Sequence, residues 1–206
     1  MAEGHAVYTI GHSTHPMESF LALLRQHGVT AVADVRSAPY SSYQPHYNRE
    51  PLAAALKGEG IAYVFLGREL GARSEDRASY AGGRVQYRRL AASPAFRRGL
   101  ERVLAGAREH RIALMCAERE PLECHRMLLV ARELAALGTT VAHIHSDGRL
   151  ESQADAEARL LALAGLPESD LLMSRAELVD AAYARQEQRV AYVDEGLARD
   201  TKRSLP

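Results

Sequence analysis

The chain is poor in cysteine, with Cys116 and Cys124 the only two among 206 residues. That excludes a disulfide-stapled secreted scaffold, and in a reducing compartment such cysteines are thiols or metal ligands first. No apolar run approaches the ~18 residues of a membrane-spanning helix, so no membrane partner is expected. The chain does not open on a basic segment followed by an apolar one, the pattern of a secretory signal, and the expected location is the cytoplasm. Net charge is also missing, since 26 Lys+Arg balance 26 Asp+Glu. A whole-molecule basic field that gathers nucleic acid is thereby excluded, though a local patch is not. Lysine is confined to Lys57 and Lys202. The other cations are arginines, which suit bidentate contacts to phosphate and carboxylate, although compositional bias accounts for the same count. No glycine-rich nucleotide-cofactor motif is present.

What remains is ordinary globular composition, 47% hydrophobic and 25% charged. A chain of this size buries roughly 70% of its unfolded surface, enough for a full core. Short β-type runs alternate with longer helical ones. Strands are expected over 7–10, 30–35, 61–66, 112–117 and 139–145, and helices over 16–27, 49–59, 93–109 and 124–137. Thr14 is a candidate cap for the first helix, and Ser93 with Pro94 caps the third. Residues 67–93 read as a long irregular segment with a small element of its own or a functional loop. The tail from Glu151 reads as helical, broken near 165–167. The expected fold is α/β: a mainly parallel, five-stranded, three-layer Rossmann-like sheet with extra C-terminal helices. Residues 1–150 form the core and 151–206 a helical extension of the same domain. A homodimer is compatible with this reading.

Open parallel sheets bind ligands beyond the carboxyl ends of their strands. The polar residues of this chain crowd into those loops. The strongest feature is Cys116-Ala-Glu118-Arg-Glu-Pro-Leu-Glu-Cys124-His125-Arg126. Four readings compete. Cys116, Cys124 and His125 ligate zinc or iron, with His12 or Glu118 as a fourth ligand. Cys124 is a thiolate nucleophile at a helix N-terminus beside His125 and Arg126. Glu118, His125 and Arg126 bind or act on a substrate. Or the loop is structural, its thiols simply buried.

Other candidates follow the remaining strands. Gly11-His12-Ser13 offers a tight turn, a histidine and an anion site at the next helix. Asp34 and Arg36 share one side of their strand and either pair or serve a pocket. Tyr40, Tyr43, His46, Tyr47 and Asn48 present rings that suit base stacking, or that pack the loop onto the sheet. Residues 68–102 hold nine arginines against four acids, a candidate phosphate track or a solvated face. His143 and His145, near Asp147, are a weaker metal-type pair.

These pieces together resemble the domain-of-unknown-function 488 (DUF488) family. The resemblance rests on Thr9-Ile-Gly-His-Ser13, Asp34-Val-Arg-Ser37 with Pro39 and Ser41, Leu66-Gly with Glu69-Leu-Gly71, and Cys116-Ala-Glu…Cys124-His-Arg126. The tail adds Asp170-Leu-Leu and Ala182-Tyr…Gln186…Arg189…Ala191-Tyr192. Members are simple bacterial single-domain proteins, some loosely labelled with DNA repair. The resemblance implies a common site of His12, Ser13, Asp34, Arg36, Glu69, Cys116, Glu118, Cys124, His125 and Arg126, without choosing its chemistry.

The leading expectation is an enzyme of hydrolase or lyase type acting on a nucleic acid or nucleotide. Asp34, Glu118, Cys124, His12 and His125 are its catalytic candidates. Ser13, Arg36, Glu69 and Arg126 hold substrate, and Tyr43 and Tyr47 stack a base. The alternatives are a metal- or thiol-dependent enzyme built on Cys116, Cys124 and His125, and a non-catalytic ligand-binding module.

Overall fold

The structure, a computed structural model, describes residues 6–203. Eight strands run in chain order: β1 (Val7–Gly11), β2 (Ala31–Asp34), β3 (Ala62–Phe65), β4 (Tyr80–Ala81), β5 (Arg84–Val85), β6 (Ile112–Cys116), β7 (Val141–Ile144) and β8 (Leu150–Ser152). Around them lie α1 (Met17–Gln26), α2 (Arg49–Gly58), α3 (Gly67–Leu70), α4 (Tyr87–Ala92) and α5 (Pro94–Gly106). A π-helix over Arg126–Ala131 continues into α6 (Arg132–Ala136), followed by α7 (Gln153–Leu163), α8 (Arg175–Val190) and α9 (Glu195–Arg203).

Alternation along each strand sorts side chains to two faces. In β6, Ile112, Leu114 and Cys116 join the core cluster under α5, the π-helix and α8. Ala113 and Met115 join the opposite cluster with Phe20, Leu24, Leu52 and Leu56 of α1 and α2. The strand is buried throughout, as a central parallel strand covered on both faces must be.

The six-stranded sheet has the order β3-β2-β6-β1-β7-β8. The first five of these strands pair in parallel, while β8 runs antiparallel to β7. The chain leaves β1 in one direction, toward β2, and leaves β6 in the other, toward β7. The connections therefore reverse between β1 and β6, and the crevice opens at the carboxyl ends of these two strands.

The α/β reading with a mostly parallel sheet holds, with one correction. The sheet has six strands, not five, because β8 occupies the start of the stretch read as helical. Ser152 both ends β8 and caps α7, its side chain accepting from the Asp155 N–H. The helical signal thus begins one residue after the strand ends. Residues 67–93 hold α3, α4 and the β4–β5 hairpin, whose turn residues Gly82 and Gly83 have φ of 57° and 80°. Positive φ at both positions is what a two-residue hairpin turn demands. Thr14 does not cap α1; Pro16 stands at that position without a side-chain cap. Ser93 caps α5 as expected, accepting from the Phe96 N–H. Leu178, Ala182 and Tyr183 of α8 pack into the same core cluster as β6. No helix among the described residues is long and apolar enough to cross a membrane.

Candidate functional site

The end of β1, the end of β6 and the loop after it are drawn together by the backbone. The His12 N–H donates to the Cys116 carbonyl and the Ser13 N–H to the Ala117 carbonyl, each at 2.9 Å. A Cβ on Gly11 would lie 1.9 Å from the Glu118 carbonyl oxygen. Glycine is required here by close approach rather than by a turn. The positive φ falls instead on Ser13, at 49°. Arg126, fully buried, ties the same loop from beneath: Nη1 donates to the Glu118 carbonyl at 2.6 Å and Nη2 to the Arg119 carbonyl at 3.0 Å.

This folding brings four donor groups into one cluster. The ligand atoms of Cys116, Glu118, Cys124 and His125 all lie within 4.8 Å of one another. His125 Nδ1 is 3.7 Å from Cys116 Sγ and 3.9 Å from Cys124 Sγ. Its other nitrogen, Nε2, sits 3.0 Å from the Val35 carbonyl oxygen. A carbonyl can only accept, so Nε2 carries a proton and Nδ1 faces the sulfurs with its lone pair whenever the ring is neutral. Cys124 Sγ lies 3.0 Å from Glu118 Oε2 and accepts the Arg126 N–H at 3.4 Å. Cys116, Cys124 and His125 are buried; Glu118 reaches solvent as a residue, with its carboxyl turned in against the sulfur.

The electrostatics divide the two thiols. Burial opposes the Cys124 thiolate, but the Cys116 hydrogen bond, the Arg126 cation and His125 hold its pKa well below the ordinary thiol value. Cys116 moves the opposite way, raised by its hydrogen bond to Cys124 and by burial. Burial and the neighbouring Cys124 charge raise Glu118 as well. Of the two thiols, Cys124 is thus the one whose surroundings favour the thiolate.

Above it opens a cleft of about 300 Å³, lined by Cys116, Glu118 and His125 at its floor and by Arg36, Arg73 and three tyrosines on its walls. Val190 and Tyr192, at and just beyond the end of α8, form its outer side. The Gln186 amide fixes that helix by donating to the buried Leu122 carbonyl at 2.8 Å. A larger groove of about 780 Å³ runs among α5, the π-helix and α8, but no cysteine or histidine lines it. Chemistry rather than size therefore marks the site.

Several expected residues stand beside the cluster in supporting positions. Arg36 grips Asp34 bidentately, Nε to Oδ1 at 2.9 Å and Nη2 to Oδ2 at 2.7 Å, and Tyr63 donates to the same carboxylate at 2.9 Å. Arg36 also donates to the Tyr47 carbonyl, and its Nη1 lies 3.3 Å from His12 Nε2. His12 Nδ1 meets the Ser13 carbonyl at 2.9 Å, so the neutral ring donates at one nitrogen and accepts from Arg36 at the other. Tyr47 is buried and stacked on His12 at 4.1 Å between ring centroids, so its ring packs the loop rather than facing solvent. Tyr43 is exposed and is not among the residues that line the cleft. Glu69 pairs with Arg102 at 2.5 Å and faces a different depression beside α5. The sequence reading had Tyr87 and Arg73 only as parts of the arginine-rich run over 68–102, with no link to the cysteine loop, and missed Val190. Tyr192 appeared only within the tail motif, the one signal that pointed to that wall.

Part of the arginine-rich stretch is occupied internally. Arg89 donates to the Ala78 and Tyr80 carbonyls, Arg84 to the Ala191 carbonyl, and Arg73 lies 4.7 Å over the Tyr192 ring.

A family model described as "Domain of unknown function DUF488" matches residues 16–132. No curated protein and no solved structure matches the chain.

Proposed function

We propose that this chain, which belongs to the DUF488 family, is a zinc-dependent hydrolytic enzyme acting on a small nucleotide-like substrate. Cys116, Cys124 and His125 hold the ion, and Glu118 moves protons beside it. The observation that carries this reading is the convergence of four donor atoms within 4.8 Å, with His125 oriented from behind by the Val35 carbonyl. At Zn–S near 2.3 Å and Zn–N near 2.0 Å, tetrahedral geometry puts sulfur and nitrogen roughly 3.5 Å apart. The 3.7 and 3.9 Å separations approach that edge within a few tenths of an ångström. A histidine whose second nitrogen donates to a backbone carbonyl is the usual arrangement behind a metal ligand.

Charge supports the same reading. Arg126 is fully buried, the two terminal nitrogens of its guanidinium meet only backbone carbonyls, and Nε has no partner among the described residues. A buried cation is costly unless negative charge lies near it, and the Cys124 sulfur, 3.4 Å from the Arg126 N–H, is the neighbour that supplies it. Two thiolates and a carboxylate around a divalent ion leave one negative charge, which Arg126 balances. Thiolate and imidazole donors favour zinc over harder cations. The ion would polarise a water so that it ionises near neutral pH. A small substrate fits better than a polymer, because the cleft holds about 300 Å³ and Tyr47, one of the two expected stacking rings, is buried.

Cys124 as a nucleophile is the second reading, favoured by its depressed pKa. It lies behind Cys116 and His125 at 1% exposure, whereas those two line the cleft floor. Elemental analysis of protein purified without a chelator separates the readings. About one zinc per chain is expected for a single closed donor set. Cys116→Ser and Cys124→Ala should lose it, while His12→Gln, outside the donors, should keep it. Reduced, folded wild-type protein free of metal would overturn the reading.

A further inference from the structure

Resting on the metal-centre reading, we infer that the reaction is hydrolytic deamination: water replaces the exocyclic amine of a nucleobase-like ring held against Cys116, Glu118 and His125. Open zinc centres with two thiolates and an imidazole serve two familiar chemistries. One is hydride exchange between an alcohol and a dinucleotide. The other is deamination of a nucleobase, in which a glutamate that is not a ligand carries the protons. The first needs a dinucleotide, and β1 is followed by Gly11-His12-Ser13 rather than a glycine-rich fingerprint. A cleft of about 300 Å³ is also too small to seat a dinucleotide beside its substrate. The second chemistry needs one carboxylate at the open side of the centre. Glu118 stands two residues after Cys116, reaches solvent, and lines the cleft.

The walls suit a flat, uncharged ring. Tyr40, Tyr87 and Tyr192 border the cleft, and a lining rich in aromatic rings favours a flat heterocycle. Arg73 stacks on Tyr192 at the cleft wall, 4.7 Å from the ring centroid, and the edge of its guanidinium can meet a ribose phosphate.

The step balances without an oxidant. The water oxygen bonds to the amine-bearing ring carbon, and Glu118 takes a water proton and delivers it to the adjacent ring nitrogen. Glu118 then takes the hydroxyl proton and passes it to the amine. The C–N bond breaks, ammonia leaves, and the carbon becomes a carbonyl. Rings that carry the amine on a carbon next to nitrogen, as in cytosine, adenine and guanine, are the substrate class.

The test uses full-length protein with measured zinc content, offered cytidine, adenosine and guanosine as bases, nucleosides and 5′-monophosphates. Ammonia release from at least one is expected, falling by about 100-fold or more in Glu118→Gln with zinc retained. Pyrimidin-2-one riboside and purine riboside, which lack the amine and hydrate at the reacting carbon, should bind the wild type and lose affinity in the same variant. Zinc-loaded protein that releases no ammonia and binds neither riboside would overturn the deamination inference while leaving the metal centre standing. Protein without zinc would overturn both.

Discussion

Lowering the pH from 6.5 to 4 is expected to remove several kcal/mol of folding stability. Two buried histidines carry the effect. His143 is held neutral between Thr9 Oγ1 at 2.8 Å on Nδ1 and Gln153 Oε1 at 3.0 Å on Nε2. The Gln153 amide is oriented by its other end, which donates to Tyr183 Oη at 2.6 Å. Burial, and then the Arg126 cation, lower the His143 pKa from 6.5 to about 4. Burial likewise lowers His12 to about 4, with Arg36 adding to it. Unfolded imidazoles bind protons near 6.5, while these two wait until about 4. Between those values the unfolded chain holds more protons, so stability falls as the pH falls. At 1.36 kcal/mol per pKa unit, each histidine contributes about 3 kcal/mol. Glu118, raised by burial, works in the opposite sense and offsets part of the loss. Urea unfolding at pH 7, 5.5 and 4.5 reads the slope, and His143→Gln should flatten it. A midpoint unchanged across that range would contradict this account of the buried histidines.

Asp34→Ala is expected to cost about 3–5 kcal/mol, the usual penalty for stripping one partner from a buried ion pair. Asp34 is fully buried and Arg36 only 6% exposed, so water cannot replace the lost carboxylate. The variant also leaves the Tyr63 hydroxyl without its acceptor. Val35 lies between the pair, and its carbonyl is the group that orients His125. The damage should therefore spread to the cysteine cluster as weakened zinc retention. For a chain of this length the melting temperature should fall by roughly 10 °C. Replacing both partners, as Asp34→Leu with Arg36→Met, should cost less than the single change, since no buried charge remains unpaired. A single variant within about 1 kcal/mol of wild type would mean that Arg36 finds another counter-charge.

Much of this architecture was legible from periodicity. The five parallel strands announce themselves as short buried runs between amphipathic helices, and topology alone assigns His12, Asp34, Cys116 and Cys124 to one edge. β8 escaped because it spans three residues and shares Ser152 with the helix cap. Which polar residues would combine was not legible, because that depends on side-chain direction. Asp34 could have served as a base, but Arg36 two residues on reaches back to it with two hydrogen bonds. Tyr47 lies in a polar loop that reads as exposed, yet His12 and Phe20 supply the ring contacts that bury it. Of the two candidate fourth donors, Glu118 lies in the cluster, while His12 turns to Arg36 and the Ser13 carbonyl. The cleft's outer wall comes from residues some 70 positions downstream of Cys116, a separation over which no local pattern carries information.

The central claim is that Cys116, Cys124 and His125 bind one zinc ion in a single site. X-ray absorption at the zinc edge, on protein purified without a chelator, tests it most directly. The expected shell contains two sulfurs near 2.3 Å and light donors near 2.0–2.1 Å from the imidazole and an oxygen. Protein without zinc, or zinc surrounded by nitrogen and oxygen alone, would contradict the account.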